Sequence, residues 1–303
     1  MNAKFIALVS EYTVCNLLAL VFVWRLAVPE DKSIIIFGAT FIAITILITI
    51  QVYFIIMKPY GEKMAKMEKA AEESEKAEII RREFVANVSH ELKTPLTSIS
   101  GFIETLQEGA SEDPEIRTKF IDIIAIETAR LKRLIEDLLV LSDIENKRDS
   151  DALEFDMKEA VQRTIDALTP IAERKNIKII SSFDEDINIR GSADRFRQMM
   201  MNLIENAIKY SDYDSSIWVK AANERGKIIV SVKDEGIGIA PEHHERLFER
   251  FYRVDKSRSK KVGGTGLGLS IVKHIAVLFG ASLKVHSEVG KGTTFYIAFN
   301  KEG

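Results

Sequence analysis

Residues 84–96 read Phe-Val-Ala-Asn-Val-Ser-His-Glu-Leu-Lys-Thr-Pro-Leu. Val85, Val88, Leu92 and Pro95 continue into Ile99, Phe102 and Leu106, with spacings that alternate between three and four. Such an alternation lines apolar side chains along one seam of a helix, the pattern of a coiled coil or four-helix bundle. With Val85 as a and Val88 as d, His90 falls at position f and points away from the seam towards solvent. A histidine at f is ordinarily a surface residue, but its neighbours give this one chemistry. Thr94, four residues on, lies over the same helical face. Glu91 is adjacent, and a carboxylate beside an imidazole can take its proton and leave the other ring nitrogen's lone pair free. Pro95 stands inside the helical pattern at a cost on the order of 3 kcal/mol, which usually marks a kink.

Downstream, Gly109, Ser111 and Pro114 break the pattern, and a second seam follows at Phe120, Ile124, Leu131, Leu134, Leu138 and Leu141, with Glu127 as its polar member. Two helices with one apolar face each make a hairpin, and two chains are needed to close a four-helix core. A parallel homodimer is therefore expected. Upstream, residues 58–83 are rich in Lys, Glu, Ala and Met and read as a helical linker of a length that suits a near-direct connection. The bundle domain is expected over 84–148.

Beyond Asp149-Ser-Asp151 the pattern changes, and a second domain is expected over 153–301. Leu153 to Met157 reads as a short strand and Lys158 to Arg174 as a helix. Ile177 to Phe183 is β-prone, and Ala193 to Tyr210 is an amphipathic helix rich in Met and Ile. Ile217 to Ala222 and Lys227 to Lys233 form a hairpin about Asn223-Glu-Arg-Gly226. A Gly-rich loop leads into a helix near Leu267 to Phe279, and two last strands cover Leu283 to Ser287 and Thr293 to Phe299. Strands interleaved with helices indicate an α/β sandwich with helices on one sheet face.

The N-terminal fifth differs from the rest. From Ile34 to Met57 no residue is charged, and such a helix would be about 36 Å long, enough to cross a bilayer with some tilt. Residues 5–28 read as another span, carrying Glu11 and ending at Trp24 and Arg25, which suit an interface. A cleaved signal peptide fits less well, because Glu11 interrupts the apolar region and no small-x-small site follows. Glu11 lies either inside the bilayer or, if the span begins at Tyr12, among the headgroups. Residues 29–33 make a short outer loop, too small for a ligand-binding domain. Lys58, Lys63, Lys66 and Lys69 follow the second span and place both termini in the cytoplasm.

The whole chain has 303 residues, 45 acidic against 42 basic, and a net charge of -3, so nothing in its balance points to nucleic acid. A hydrophobic share of 46% excludes disorder. The single cysteine, Cys15, excludes an intrachain disulfide and a Cys-based zinc cluster.

The stretch Phe84 to Leu96 resembles the phosphoacceptor box of bacterial sensor histidine kinases. Four more stretches match that family in order. Asn202-Leu-Ile-Glu-Asn-Ala-Ile-Lys-Tyr210 is similar to its N box, and Asp234-Glu-Gly-Ile-Gly-Ile239 to its first Gly box. Phe248-Glu-Arg-Phe-Tyr-Arg253 resembles the F box, and Gly263-Gly-Thr-Gly-Leu-Gly-Leu-Ser270 the second Gly box, with Gly290-Lys-Gly-Thr293 completing the set. The resemblance covers about residues 80 to 300, and within the family it looks most like the phosphate-sensing PhoR-type subgroup. It implies a membrane α-hairpin, a dimeric helical bundle and a histidine-kinase-type ATP-binding sandwich.

Each box has a physical reason. Asn202 and Asn206 lie four apart on one helix face, so two amide oxygens can converge on Mg²⁺, which prefers oxygen ligands. Lys209 is in reach of the same phosphates, and Tyr210 closes the box. Asp234 would accept a hydrogen bond from the adenine amino group, while Gly236 and Gly238 let the chain turn close to the base. Gly264, Thr265, Gly266, Leu267 and Gly268 bring backbone amides to a helix start, where the dipole favours phosphate oxygens. That run lacks the Lys-Ser/Thr of a P-loop. By resemblance Arg253 and Arg258 contact phosphates from a lid, and Thr293 belongs to the ATP site; for the run from Lys256 to Lys261 a solvated loop is the alternative.

The family implies a protein-histidine kinase. ATP and Mg²⁺ bind the second domain, the imidazole of His90 attacks the γ-phosphate and Glu91 helps accept its proton. The phosphoryl group then passes to an aspartate in the receiver domain of a response regulator, and Thr94 orients a water for the regulator's dephosphorylation. The implied location is the bacterial cytoplasmic membrane, multi-pass. One alternative is a chain that is mainly a regulator phosphatase or membrane scaffold. Another is an ATP hydrolase of the gyrase, chaperone and mismatch-repair type, against which Asn202 argues, because those families place a Glu there to activate water.

Overall fold

A computed structural model describes residues 18–19, 21–22, 24–25, 33–54, 58–146, 153–224, 226–254 and 264–300. The chain divides into two units, Met1–Arg82 and Glu83–Gly303. In the first, helix α1 (Ser33–Val52) is followed by the opening turns of helix α2 (Lys58–Gln107). Ion pairs such as Lys76 with Glu72 at 2.7 Å lie along these exposed turns and add only a few tenths of a kcal/mol each. Of the expected span 5–28, and at the end of 34–57, much lies outside the described residues. Among the described residues no helix is long and apolar enough to cross a membrane.

The second unit begins within α2, which runs through Pro95. Gly109, at φ 118°, ends the helical stretch in the left-handed region, where a side chain is costly and glycine is not. Asp113 caps helix α3 (Pro114–Asn146), its Oδ1 accepting from the amides of Glu115 and Ile116 at 2.9 and 3.2 Å. The two helices meet through Phe102 and Phe120, whose rings lie 4.9 Å apart. Pro95, Leu134 and Leu141 are buried, yet Ile126 and Leu139 stay 64% and 65% exposed, with Leu96 and Ile121 also open to solvent. One hairpin therefore leaves a large apolar area uncovered.

The C-terminal part starts with β1 (Leu153–Asp156), α4 (Met157–Glu173), β2 (Lys178–Phe183), β3 (Asn188–Gly191) and α5 (Ala193–Tyr210). It continues with β4 (Ser216–Glu224), β5 (Lys227–Asp234), α6 (Gly268–Leu278), β6 (Ser282–Glu288) and β7 (Gly292–Asn300). Five strands form one sheet in the order β2-β4-β5-β7-β6, parallel only between β2 and β4. Along β5, Ile228, Val230 and Val232 are buried and their neighbours are more open, the period-two signature of a sheet with one covered face. The expected sandwich is present, and the expected strands and helices fall within a few residues of those observed.

Strand β3 was not expected. Its four residues, Asn-Ile-Arg-Gly, are too few to show a period, and it exists through its antiparallel ladder with β1, where Phe155 faces Ile189. That ladder closes one end of an aromatic core. Phe196, fully buried on α5, lies 5.5 Å from Phe155, 6.3 Å from Phe279 and 5.8 Å from Phe299, ring centre to ring centre. Truncating such a side chain costs about 3–5 kcal/mol. Phe196→Ala is expected to lower stability by about that amount, read as an earlier midpoint in urea unfolding followed by circular dichroism.

Candidate functional site

Helix α5 has its N-terminus capped by Ser192, whose hydroxyl accepts from the Arg195 amide at 3.4 Å. Its apolar stripe is buried, and the spacing of four then leaves Asn202 and Asn206 together on the remaining face. A Cβ at Gly268 would lie 3.6 Å from the Asn202 Oδ1 and 4.0 Å from the Asn206 Nδ2, so both amides face the start of α6. The Asn202 Nδ2 is buried without a hydrogen-bond partner. A buried amide left unmatched costs about 1–3 kcal/mol, which fits a ligand that completes it. The first residues of α6 have no side-chain cap, so their amides stay available to an anion.

Asp234 is buried at the end of β5. Its Oδ1 accepts from the amides of Gly236 at 2.9 Å and Thr293 at 3.1 Å, so Oδ2 is the oxygen left to meet an amino group. Burial pushes its carboxyl up, and the two amides hold it back. The glycines around it are close approaches. A Cβ on Gly238, at φ 67°, would sit 1.9 Å from the Glu288 carbonyl oxygen, and one on Gly292, at φ 93°, 2.0 Å from that of Asp234. A Cβ on Gly236 would lie 2.5 Å from the Tyr210 carbonyl oxygen, to which the Ile237 amide donates at 3.3 Å. The Thr293 hydroxyl bonds Ser287 at 2.8 Å.

The Lys209 ammonium closes the opposite wall, 2.7 Å from where a Gly264 Cβ would stand. Burial pulls its pKa down to about 8 and pushes the Tyr210 phenol up. Gly266, at φ 77°, offers its carbonyl to the Phe251 amide at 2.9 Å. The Thr265 hydroxyl donates to the Asp137 carboxylate on α3 at 2.7 Å. The Leu267 amide in turn donates to the Thr265 oxygen at 3.3 Å, and Leu267 itself is buried.

On α2, His90 is exposed and its ring makes no hydrogen bond among the described residues. The Thr94 hydroxyl donates to the His90 carbonyl at 3.1 Å. Glu91 does not turn to His90. Its carboxylate takes Arg130 of α3 at 3.0 Å and lies 3.9 Å from Arg253. Burial pulls the Arg253 guanidinium down and Glu91 opposes that. Phe84 on the same helix meets the ring of Phe251 at 5.9 Å and the guanidinium of Arg250 at 4.9 Å.

The structure thus brings Asn202, Asn206, Lys209, Tyr210, Asp234, Gly236, Gly238, Gly264, Thr265, Gly266, Leu267, Gly268 and Thr293 about one cradle. Arg253 lies on its rim beside Glu91, whereas Arg258 and Lys256 fall outside the described residues. Sequence reasoning missed Arg130 and Asp137. Arg130 stands 39 residues from Glu91 and Asp137 stands 128 from Thr265, and no local pattern links residues so far apart.

Comparison with known proteins decides the family. Residues 80–147 match the His Kinase A (phospho-acceptor) domain. Residues 191–303 match the histidine kinase-, DNA gyrase B-, and HSP90-like ATPase. The chain belongs to the sensor histidine kinases. The sensor histidine kinase WalK of Bacillus subtilis is 39% identical over 235 residues, 76% of this chain and 38% of that protein. The chain therefore spans less than half the length of that relative. WalK relatives do not confirm the PhoR-type subgroup. Among solved structures, histidine kinase ThkA in complex with response regulator protein TrrA is similar with a TM-score of 0.60 and 27% identity, over 72% of this chain and 61% of that one. Full-length ShkA in complex with AMPPNP has a TM-score of 0.53 and 26% identity, over 72% of this chain and 45% of that one.

A lysine must be charged to hold a phosphate, and a pKa lowered to about 8 means that the charge fades as pH rises through that value. ATP affinity is expected to fall between pH 7 and pH 9, with a proton taken up on binding. Lys209→Arg, charged throughout, is expected to lose the dependence. Titration with a fluorescent ATP analogue at both pH values checks this.

Proposed function

We propose that this chain is a membrane-bound sensor kinase that phosphorylates His90 from ATP and passes the phosphoryl group to an aspartate of a response regulator. The observation that carries the reading is one unit holding both an exposed imidazole on a bundle helix and a cradle of orphan amide, uncapped helix start and buried carboxylate. Asp234 selects adenine through its amino group, the α6 amides and Lys209 hold phosphate oxygens, and Arg253 neutralises the transferring group. Asn206, with Asn202 beside it, would hold Mg²⁺, which would supply charge neutralisation to the triphosphate. The rest of the work is positioning.

In the step itself the unprotonated nitrogen of a neutral His90 ring bonds the γ-phosphorus as the bond to ADP breaks, and the proton on the ring's other nitrogen moves to Glu91. Glu91 reaches that task only when its carboxylate turns from Arg253, and a triphosphate that claims Arg253 frees it to do so. Arg130 remains to orient the carboxylate. Thr94 serves the reverse reaction, orienting a water for dephosphorylation of the regulator. The uncovered apolar side chains of α2 and α3 support a homodimer, and the kinase–regulator complex of ThkA supports a receiver-domain partner.

With ATP and Mg²⁺ the wild-type chain is expected to take acid-labile, alkali-stable label. His90→Ala is expected to take none, and Glu91→Gln to label at least about tenfold more slowly with little change in the KM for ATP. A wild type that binds ATP yet takes no label would shift the reading to a phosphatase. The uncharged interval 34–57 supports membrane attachment, so the full chain is expected to stay with membranes through carbonate extraction, and a chain begun at residue 58 is expected to leave them.

A further inference from the structure

Helix α5 ends in carbonyl groups that have no partner within the helix. Here one side chain collects them. The Lys175 ammonium donates to the carbonyl oxygens of Ile208 at 2.9 Å, Lys209 at 3.0 Å and Ser211 at 2.9 Å. Lys175 belongs to the turn between α4 and β2, and that turn is tied to the one that follows α5. The Asp214 amide donates to the Lys175 carbonyl at 3.1 Å, and the Lys178 amide to that of Ser215 at 3.1 Å. Asn176 also bonds the Asp214 carboxylate. Both Asn176 and Asp214 hold positive φ, 54° and 61°.

The carbonyl that Lys175 does not take is that of Tyr210, between those of Lys209 and Ser211. It faces the other way, into the candidate nucleotide site. There it receives the Ile237 amide at 3.3 Å, and it stands so close to Gly236 that a Cβ would meet it at 2.5 Å. Gly236 is in turn bonded to Asp234. One ammonium ion on the outer side thus fixes the last turn of the helix from which Lys209, Tyr210 and the Asp234–Gly236 turn take their places. A cation at a helix C-terminus is favoured by the dipole, and three bonds from a charged donor are stronger than neutral ones.

We infer that Lys175 is a positioning residue for the nucleotide: it holds the end of α5 so that the Tyr210 carbonyl and the Asp234 turn keep their places at the adenine end of the site. This rests on the reading of that site as an ATP site, and it adds a residue that touches no part of the ligand. A loss of Lys175 leaves three carbonyls unmatched and lets the last turn of α5 fray, which loosens the adenine end and leaves His90 and the phosphate-binding amides of α6 as they were.

The test uses the full chain purified in mild detergent, with Lys175→Met, which keeps the stem and loses the donors, and Lys175→Arg, which keeps them. Autophosphorylation is measured across ATP concentration, and ATP and GTP are compared in competition for binding. Lys175→Met is expected to raise the KM for ATP by about tenfold with kcat within about twofold, and to lower the ATP-over-GTP preference by a similar factor. Lys175→Arg is expected to return both to within about threefold of wild type. A merely structural role would lower the melting temperature and the active fraction without moving KM or the base preference. Wild-type KM and preference in a folded Lys175→Met would overturn the inference. If that variant loses its melting transition, Lys175→Gln is measured in its place, and an unchanged KM and preference there overturns the inference equally. Failure of the underlying reading shows separately, as a wild type that binds no ATP.

Discussion

The buried carboxylate of Asp234 ties together three stretches of the chain. Through one oxygen it holds the amide of Gly236 and that of Thr293, joining the end of β5, the turn that follows it and the start of β7. A charged acceptor in a buried place is costly unless bonded, so the two amides and the carboxylate each depend on the others. Around this knot the backbone runs too close for any side chain at Gly238 or Gly292. The pocket is therefore made as much by missing Cβ atoms as by the side chains that line it, and α5 supplies its other wall.

The contacts between the bundle helices and the ATPase-like domain include residues of the candidate site. Thr265, in the loop that leads into α6, bonds Asp137 of α3, and Arg253 stands by Glu91 of α2. Burial pushes the Asp137 carboxyl up, and its bond from Thr265 opposes that shift. Phe84 adds an apolar contact with Phe251 and a cation–π contact with Arg250, six residues before His90. A nucleotide that engaged Arg253 and the Thr265 loop would draw on the same groups that hold the two parts together. Binding and docking would in that sense share side chains.

Arg130 shows how a hairpin changes the meaning of a residue. Nearly buried, it bridges Glu91 on one helix and Glu127 on its own, at 3.0 and 3.8 Å. Glu127, the single polar member of the second seam, thereby lies within ion-pair range of a guanidinium, though its buried Oε2 makes no hydrogen bond among the described residues. Removing either carboxylate would leave a guanidinium with less than its share of charge in a place with little water, and such losses are larger than those of surface pairs.

Periodicity and local chemistry were enough to read the two apolar seams of α2 and α3, the bounds of α5, the places of six of the seven β-strands along the chain and the glycine-rich turns of the candidate site. Those features are written in neighbouring residues: a helix or strand repeats every few positions, and a glycine where the chain must turn is needed whatever lies far away. Strand β3 was illegible because four residues carry no period and a strand of that length is made by its partner. The sequence placed Glu91 beside His90 and suggested a base; the folded chain turned that carboxylate to Arg130 and Arg253 instead. Asp137 against Thr265, and Lys175 beneath the end of α5, were decided in the same way. Hydrogen bonds and ion pairs between residues tens of positions apart are selected by where the packed elements come to rest, and only the tertiary structure fixes that.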